Sequence, residues 1–196
     1  MTTMTLSQAD VTYVRANFFT LAELLAGRPE RLDEIREAIL GGELPRPAYV
    51  LPDGTELFAA DWLELLDDAG GLEHMRARFE QRYVAAGGDR REVAPEWEAY
   101  LGGEYAVCLV HVTPENMVRK DRLAASLTEL LDQPEPTSSE WRARLRRDVW
   151  AFDALVREFS PDYDRNGRFP TAPSRDRLVT EARRRFPDVL RGSSDG

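Results

Sequence analysis

Apolar positions recur at three- and four-residue spacings over most of the chain, which predicts a mostly α protein. In residues 7–18, Val11, Val14 and Phe18 share one face, with Ser7 as the cap and Asp10 at the third helical position. Thr20-Leu21-Ala22-Glu23 reads as a capping box opening a short helix that Gly27 stops. Pro29 opens another, whose Leu32, Ile35 and Ile39 share a face before Gly41 and Gly42. The pattern turns extended only between residues 48 and 58, where Ala48 to Leu51 and Thr55 to Phe58 flank Pro52-Asp53-Gly54, a short β-hairpin. Asp61 is then expected to cap a helix carrying Trp62, Leu63, Leu65 and Leu66.

Beyond Gly70-Gly71 the helical period is unbroken by strands. Leu72, Met75, Phe79, Tyr83 and Ala86 form one stripe, with His74 on the opposite, solvent side. Thr113, Pro114 and Glu115 supply a cap, a preset φ and an acid for a helix running from 114 to about 131. A proline linker at 133–137 precedes a long helix from Ser138 or Ser139 to Phe159, and Ser174 caps a last one. The expected organisation is a winged-helix-like unit over 1–69, a helical bundle over 70–192 and a frayed tail over 193–196.

The stretch 104–112 is the ambiguous one. As a helix it aligns Glu104, Cys108 and His111 at i, i+4 and i+7, whereas a strand scatters them. Gly102, Gly103 and the β-branched residues argue for the strand. Pro95 and the spacing of Trp97, Tyr100 and Leu101 place a helix just upstream and favour the helical reading.

Composition narrows the function classes. The 196 residues carry a formal charge of −9, and residues 1–69 alone hold 5 basic and 13 acidic side chains. That sign opposes binding to a phosphate backbone. One cysteine excludes an intramolecular disulfide framework and fits a reducing compartment. With no apolar leader and no run approaching a membrane span, the expected location is cytoplasmic. The loop around Asp162, Asp164 and Asn166 lacks the ligand spacing of an EF-hand.

Rare residue types mark the candidate chemistry. The chain's only cysteine, Cys108, and one of its two histidines, His111, would meet one turn apart if the helix held, with Glu104 orienting the imidazole. The opposing reading is packing, since free cysteine is among the most buried residue types. A metal site from one Cys, one His and one Glu on a single helix is weaker, so neither metal nor cofactor is expected. The only lysine, Lys120, projects with Asn116 into its helix's apolar arc, and Asp148 sits in the arc of the next helix; the two are expected to pair there.

The segment LAELLAGRPERLDEIREAILGGELPRPAYVLPDGTELFAADW resembles winged helix-turn-helix proteins of the MerR and excisionase type. In such proteins the second helix enters the major groove, but here that helix carries Glu30, Asp33, Glu34 and Glu37. The pattern W-x2-Y-L-x-G-E-Y-x-V-C-L, T-P-E-N, W-x3-L and P-S-R-D resembles an uncharacterised actinobacterial family of natural product biosynthesis proteins. That resemblance implies a specialised-metabolism setting and no reaction. Two classes follow: a small cofactor-independent enzyme or accessory protein acting on a small-molecule or peptide intermediate, or a module that recognises a protein, a peptide or its own copy. A closed pocket lined by Glu104, Cys108, His111, Asn116, Lys120 or Asp148 would favour the first; a solid apolar core there, with an exposed apolar patch on residues 20–66, would favour the second.

Overall fold

A computed structural model describes residues 6–168 and 173–191; the expected tail at 193–196 lies outside them. The protein is mostly α, with one two-stranded sheet among the described residues. Helix α1 (Gln8–Asn17) begins with the expected reciprocal cap: the Ser7 hydroxyl accepts from the Asp10 amide, and the Asp10 carboxylate accepts from the Ser7 amide at 2.8 Å. Helix α2 (Leu21–Leu24) opens with the same device on Thr20 and Glu23. Helix α3 (Leu32–Leu40) starts later than Pro29, because Glu30 turns back to accept from the Arg28 guanidinium at 2.8 Å instead of entering the first turn.

Strands β1 (Tyr49–Val50) and β2 (Glu56–Leu57) pair antiparallel, Tyr49 opposite Leu57, around a turn in which Gly54 takes a φ of +83°. Phe19 adds a single bridge to Phe58 on the other side of β2. Helix α4 (Glu64–Ala69) follows, and Asp61 does not cap it with its side chain. The Asp61 carboxylate instead reaches across to accept the Val112 amide at 2.5 Å.

Helix α5 (Leu72–Ala85) buries Met75, Phe79 and Tyr83 as expected. Helix α6 (Val93–Leu101) adds Trp97 and Tyr100 to the same aromatic cluster, the Phe79 and Trp97 rings meeting edge to face at 5.3 Å. Gly103, at φ +76°, turns the chain into α7 (Glu104–Cys108) where the Arg46 carbonyl passes so close that an added Cβ would stand 2.8 Å from it. Helices α8 (Pro114–Asp132) and α9 (Ser139–Leu155) form a hairpin, capped by Thr113 and Ser138. Both exits are stitched together. Leu109 bridges Val156, the Val110 amide donates to Leu155 and the Arg157 amide to Cys108. This pairing is why the helix at 104 stops at Cys108 and why α9 ends before Phe159. Two wide, π-type turns, 164–168 and 176–180, lead to α10 (Glu181–Arg185) and α11 (Pro187–Leu190).

One buried apolar cluster runs from Val14 to Val189. Polar contacts join the N-terminal third to the rest: the Arg46 amide donates to Leu101 at 2.8 Å, and the Asp10 carboxylate accepts the amides of Asp162 and Tyr163 at 2.9 and 3.1 Å. Tyr49 donates its hydroxyl to the buried Asp164 at 2.5 Å.

Candidate functional site

The one-sided constellation of Glu104, Cys108 and His111 does not form. With the helix ended at Cys108, His111 falls in extended chain, its side chain 69% exposed and Nδ1 3.8 Å from the Asp61 carboxylate. Glu104 is exposed. Cys108 is 8% exposed and donates its thiol to the Tyr105 carbonyl at 3.6 Å. Burial pushes that thiol up from its ordinary value, against the opposing charge of Lys120. A thiol held protonated in this way is a poor nucleophile.

The Lys120–Asp148 pair does not form either. In the antiparallel hairpin Asp148 comes level with Ser126, six residues and so about 9 Å along α8 from Lys120. Asp148 is 3% exposed, accepts the Ser126 hydroxyl at 2.6 Å and Arg147 Nε at 2.8 Å, and has Arg144 Nε at 3.9 Å. Its charge is consumed locally. Lys120 instead joins Cys108 at the seam of α6, α7 and α8, its ammonium 5.1 Å from the centre of the Tyr105 ring. The Tyr105 hydroxyl donates to the Glu96 carboxylate. Burial pushes Glu96 up, the Tyr105 hydrogen bond pulls it down, and Asp121 and Lys120 add opposing charges; the net shift is upward.

Thus the structure brings two of the five candidates together, Cys108 and Lys120, with Glu96 and Tyr105 that the periodicity did not single out. The arrangement sets a lysine, a buried thiol and a half-buried carboxylate side by side at a helix junction. Nearby, Asp61 Oδ1 is buried without a hydrogen-bond partner among the described residues, beside a small cavity of about 10 Å³ that has room for one water. Among the described residues no group of three or more His, Cys, Asp or Glu side chains could hold a metal ion, and no helix is long and apolar enough to cross a membrane.

A different surface is open. Between α3 and the α4–α5 corner lies a groove of about 400 Å³, floored by Ile35, Leu66 and Leu72 and rimmed by Glu30, Glu34 and Asp67. The corner is made by Gly70 and Gly71, both at positive φ. An added Cβ at Gly70 would meet nothing within 4 Å, so the chain reverses there without a side chain to fill the gap. Arg28 spans the rim, donating to Glu30 at 2.8 Å and to Asp67 at 3.1 Å. That leaves three carboxylates against one guanidinium, and Glu34 has no ion pair among the described residues. Large apolar side chains are also exposed around this third of the chain: Phe19, Leu32, Val50, and Leu40 at 88%. Neither the cysteine, the histidines nor the lysine pointed here; the signal was the density of acids on a helix whose partner face is apolar.

The fold and this groove define a helical protein with an acidic, apolar-floored surface. Residues 56–187, two thirds of the chain, match the profile of DUF6058, described as a family of unknown function, and the chain belongs to that family. The matched stretch contains the α4–α5 wall of the groove and the whole Cys108–Lys120 seam, while the α3 wall precedes it. No curated protein and no solved structure matches this chain.

Proposed function

We propose that the protein is an accessory binding module of actinobacterial specialised-metabolite biosynthesis, and that its α3 groove holds a basic, apolar-anchored segment of a partner protein. The observation that carries this reading is the groove itself: the partly exposed Leu66 and Leu72 and the buried Ile35 beneath them line it, with the carboxylates of Glu30, Glu34 and Asp67 around it. An apolar side chain buried on the floor would supply affinity, and arginines or lysines along the rim would supply orientation and encounter rate. The net charge of −8 on residues 1–69 favours a basic partner and repels duplex DNA. The order of two helices, a hairpin and a further helix supports a winged-helix-like unit turned to protein recognition. The biosynthetic setting rests on the motif resemblance of the second half.

Catalysis is the less supported reading. The seam keeps the Cys108 thiol buried and protonated, and His111 stands apart from it on the surface. The test is fluorescence anisotropy with a labelled amphipathic Leu/Arg peptide. Binding in the micromolar class is expected, weakening by about tenfold between low and physiological salt. Glu34→Arg in the groove should abolish it, whereas Glu98→Arg, an exposed acid elsewhere, should leave it within about twofold. Equal losses from both variants would reduce the binding to bulk charge and overturn the reading.

A further inference from the structure

We propose that the basic segment is carried by a second copy of this chain, on the outer face of α9; this inference rests on the groove reading above. Trp150 is 67% exposed, far more than a tryptophan of a filled core. It lies on a stripe of Ala143, Arg147, Trp150 and Ala154, all exposed and spaced i, i+4, i+7 and i+11 along one helix face. Arg147 is 70% exposed, with Nε on Asp148 at 2.8 Å and no other ion pair among the described residues. The stripe therefore offers one large aromatic anchor between two small residues, with a cation one turn away. These are the features the groove lacks a partner for.

Charge is divided along the chain in the same sense. Residues 1–69 hold 5 basic and 13 acidic side chains, and residues 139–191 hold 13 basic and 9 acidic. The acidic end of one copy and the basic end of another attract, and like ends repel. An isologous pairing of two α9 stripes, with Trp150 set against Ala143, would bring Arg146 opposite Arg147, which opposes it. Docking Trp150 on the floor of Ile35, Leu66 and Leu72, with Arg147 toward Glu34, joins unlike surfaces instead. Such a contact is heterologous, so each dimer keeps one free groove and one free stripe, and association proceeds stepwise. One helix face in one groove is a small interface, so the complex is expected to be weak and salt-sensitive.

Sedimentation velocity on the full chain, with two variants and their mixture, tests the proposal. Wild type should move from monomer toward dimer and larger species as concentration rises, and revert at high salt. Trp150→Ala, with its groove intact, and Glu34→Arg, with its stripe intact, should each stay monomeric while keeping the circular dichroism of wild type. Mixed together they should form a dimer and stop there, since only one intact groove and one intact stripe meet. Trp150→Phe should retain most of the association, and the indole emission of wild type should shift to the blue as the oligomer forms. A wild type that remains monomeric at every concentration overturns the proposal; if the Leu/Arg peptide still binds, the groove reading survives and its partner is another protein. Loss of association in Trp150→Ala but not in Glu34→Arg overturns the groove as the docking site. A mixture that stays monomeric does the same.

Discussion

The seam of α6, α7 and α8 and the groove beside α3 treat polar groups in opposite ways. At the seam, Lys120, Tyr105, Glu96 and Cys108 are drawn together: the Tyr105 hydroxyl donates to Glu96, the Lys120 ammonium sits over the Tyr105 ring, and Cys108 is buried beside them. At the groove, Glu34 and Asp67 remain in water above an apolar floor, and one arginine stands for three carboxylates. A group whose interactions are already spent inside the fold contributes to stability and has little left for a partner. A group left solvated beside uncovered apolar surface has its interaction energy still available. Cys108 and Lys120, the chain's only cysteine and lysine, lie in the first region; the proposed binding surface is the second.

The comparison can be broken first at the charges the fold has consumed. Asp10 is fully buried and accepts three backbone amides, those of Ser7, Asp162 and Tyr163. Asp10→Ala strands all three and should cost about 3 kcal/mol, seen as a melting temperature lower by roughly 8 °C. Burial pushes the Asp10 carboxyl up, but these three amides outweigh it and hold the group below its ordinary 3.8. Its folded value is thus below its unfolded one, so its contribution is present above about pH 4 and is lost as pH falls through the folded value. The variant should accordingly show a shallower acid limb; an unchanged limb would remove Asp10 from this account.

A smaller effect belongs to Cys108. Cys108→Ala should cost about 1 kcal/mol by loss of packing. Alkylation of the native thiol at neutral pH should be at least about a hundredfold slower than in urea. Fast labelling in the native protein would mark the seam as reactive and move the candidate chemistry back to it. The smallest effect has the opposite sign. Glu96 is raised above its ordinary 4.5, so between that value and its folded one stability falls as pH rises. Glu96→Gln keeps an acceptor for Tyr105 and removes the charge; it should stabilise the protein at pH 7 by less than about 1 kcal/mol and flatten that slope. A lower melting temperature in the variant would show that the ionised carboxylate is needed.

Much of the architecture was legible because capping and periodicity are local. Ser7 with Asp10, Thr20 with Glu23, and Thr113 with Pro114 each announced a helix start that the structure has. The hairpin was equally legible from Pro52-Asp53-Gly54. What failed depended on distant chain. Nothing near residue 109 signals that Val156 will pair with it, so the helix appeared to run on to Val112 and carried His111 with it. Lys120 and Asp148 were each correctly placed toward a helix interface, but register along the hairpin matched Asp148 with Ser126. Asp61 read as a cap and instead spans to Val112, because the α7–α8 connection passes over it. The groove brings Ile35 against Leu66, distant in sequence, and no one-dimensional pattern contains it.

The chain's only two isoleucines, Ile35 and Ile39, both lie on α3, and Ile35 forms the groove floor. A carbon-13 methyl spectrum of isoleucine-labelled protein therefore contains two signals, assigned with Ile39→Val. Titration with the Leu/Arg peptide should move the Ile35 signal progressively and to saturation, and the movement should vanish in Glu34→Arg. An Ile35 signal that stays in place while anisotropy reports binding would put the partner elsewhere and contradict the groove as the functional surface.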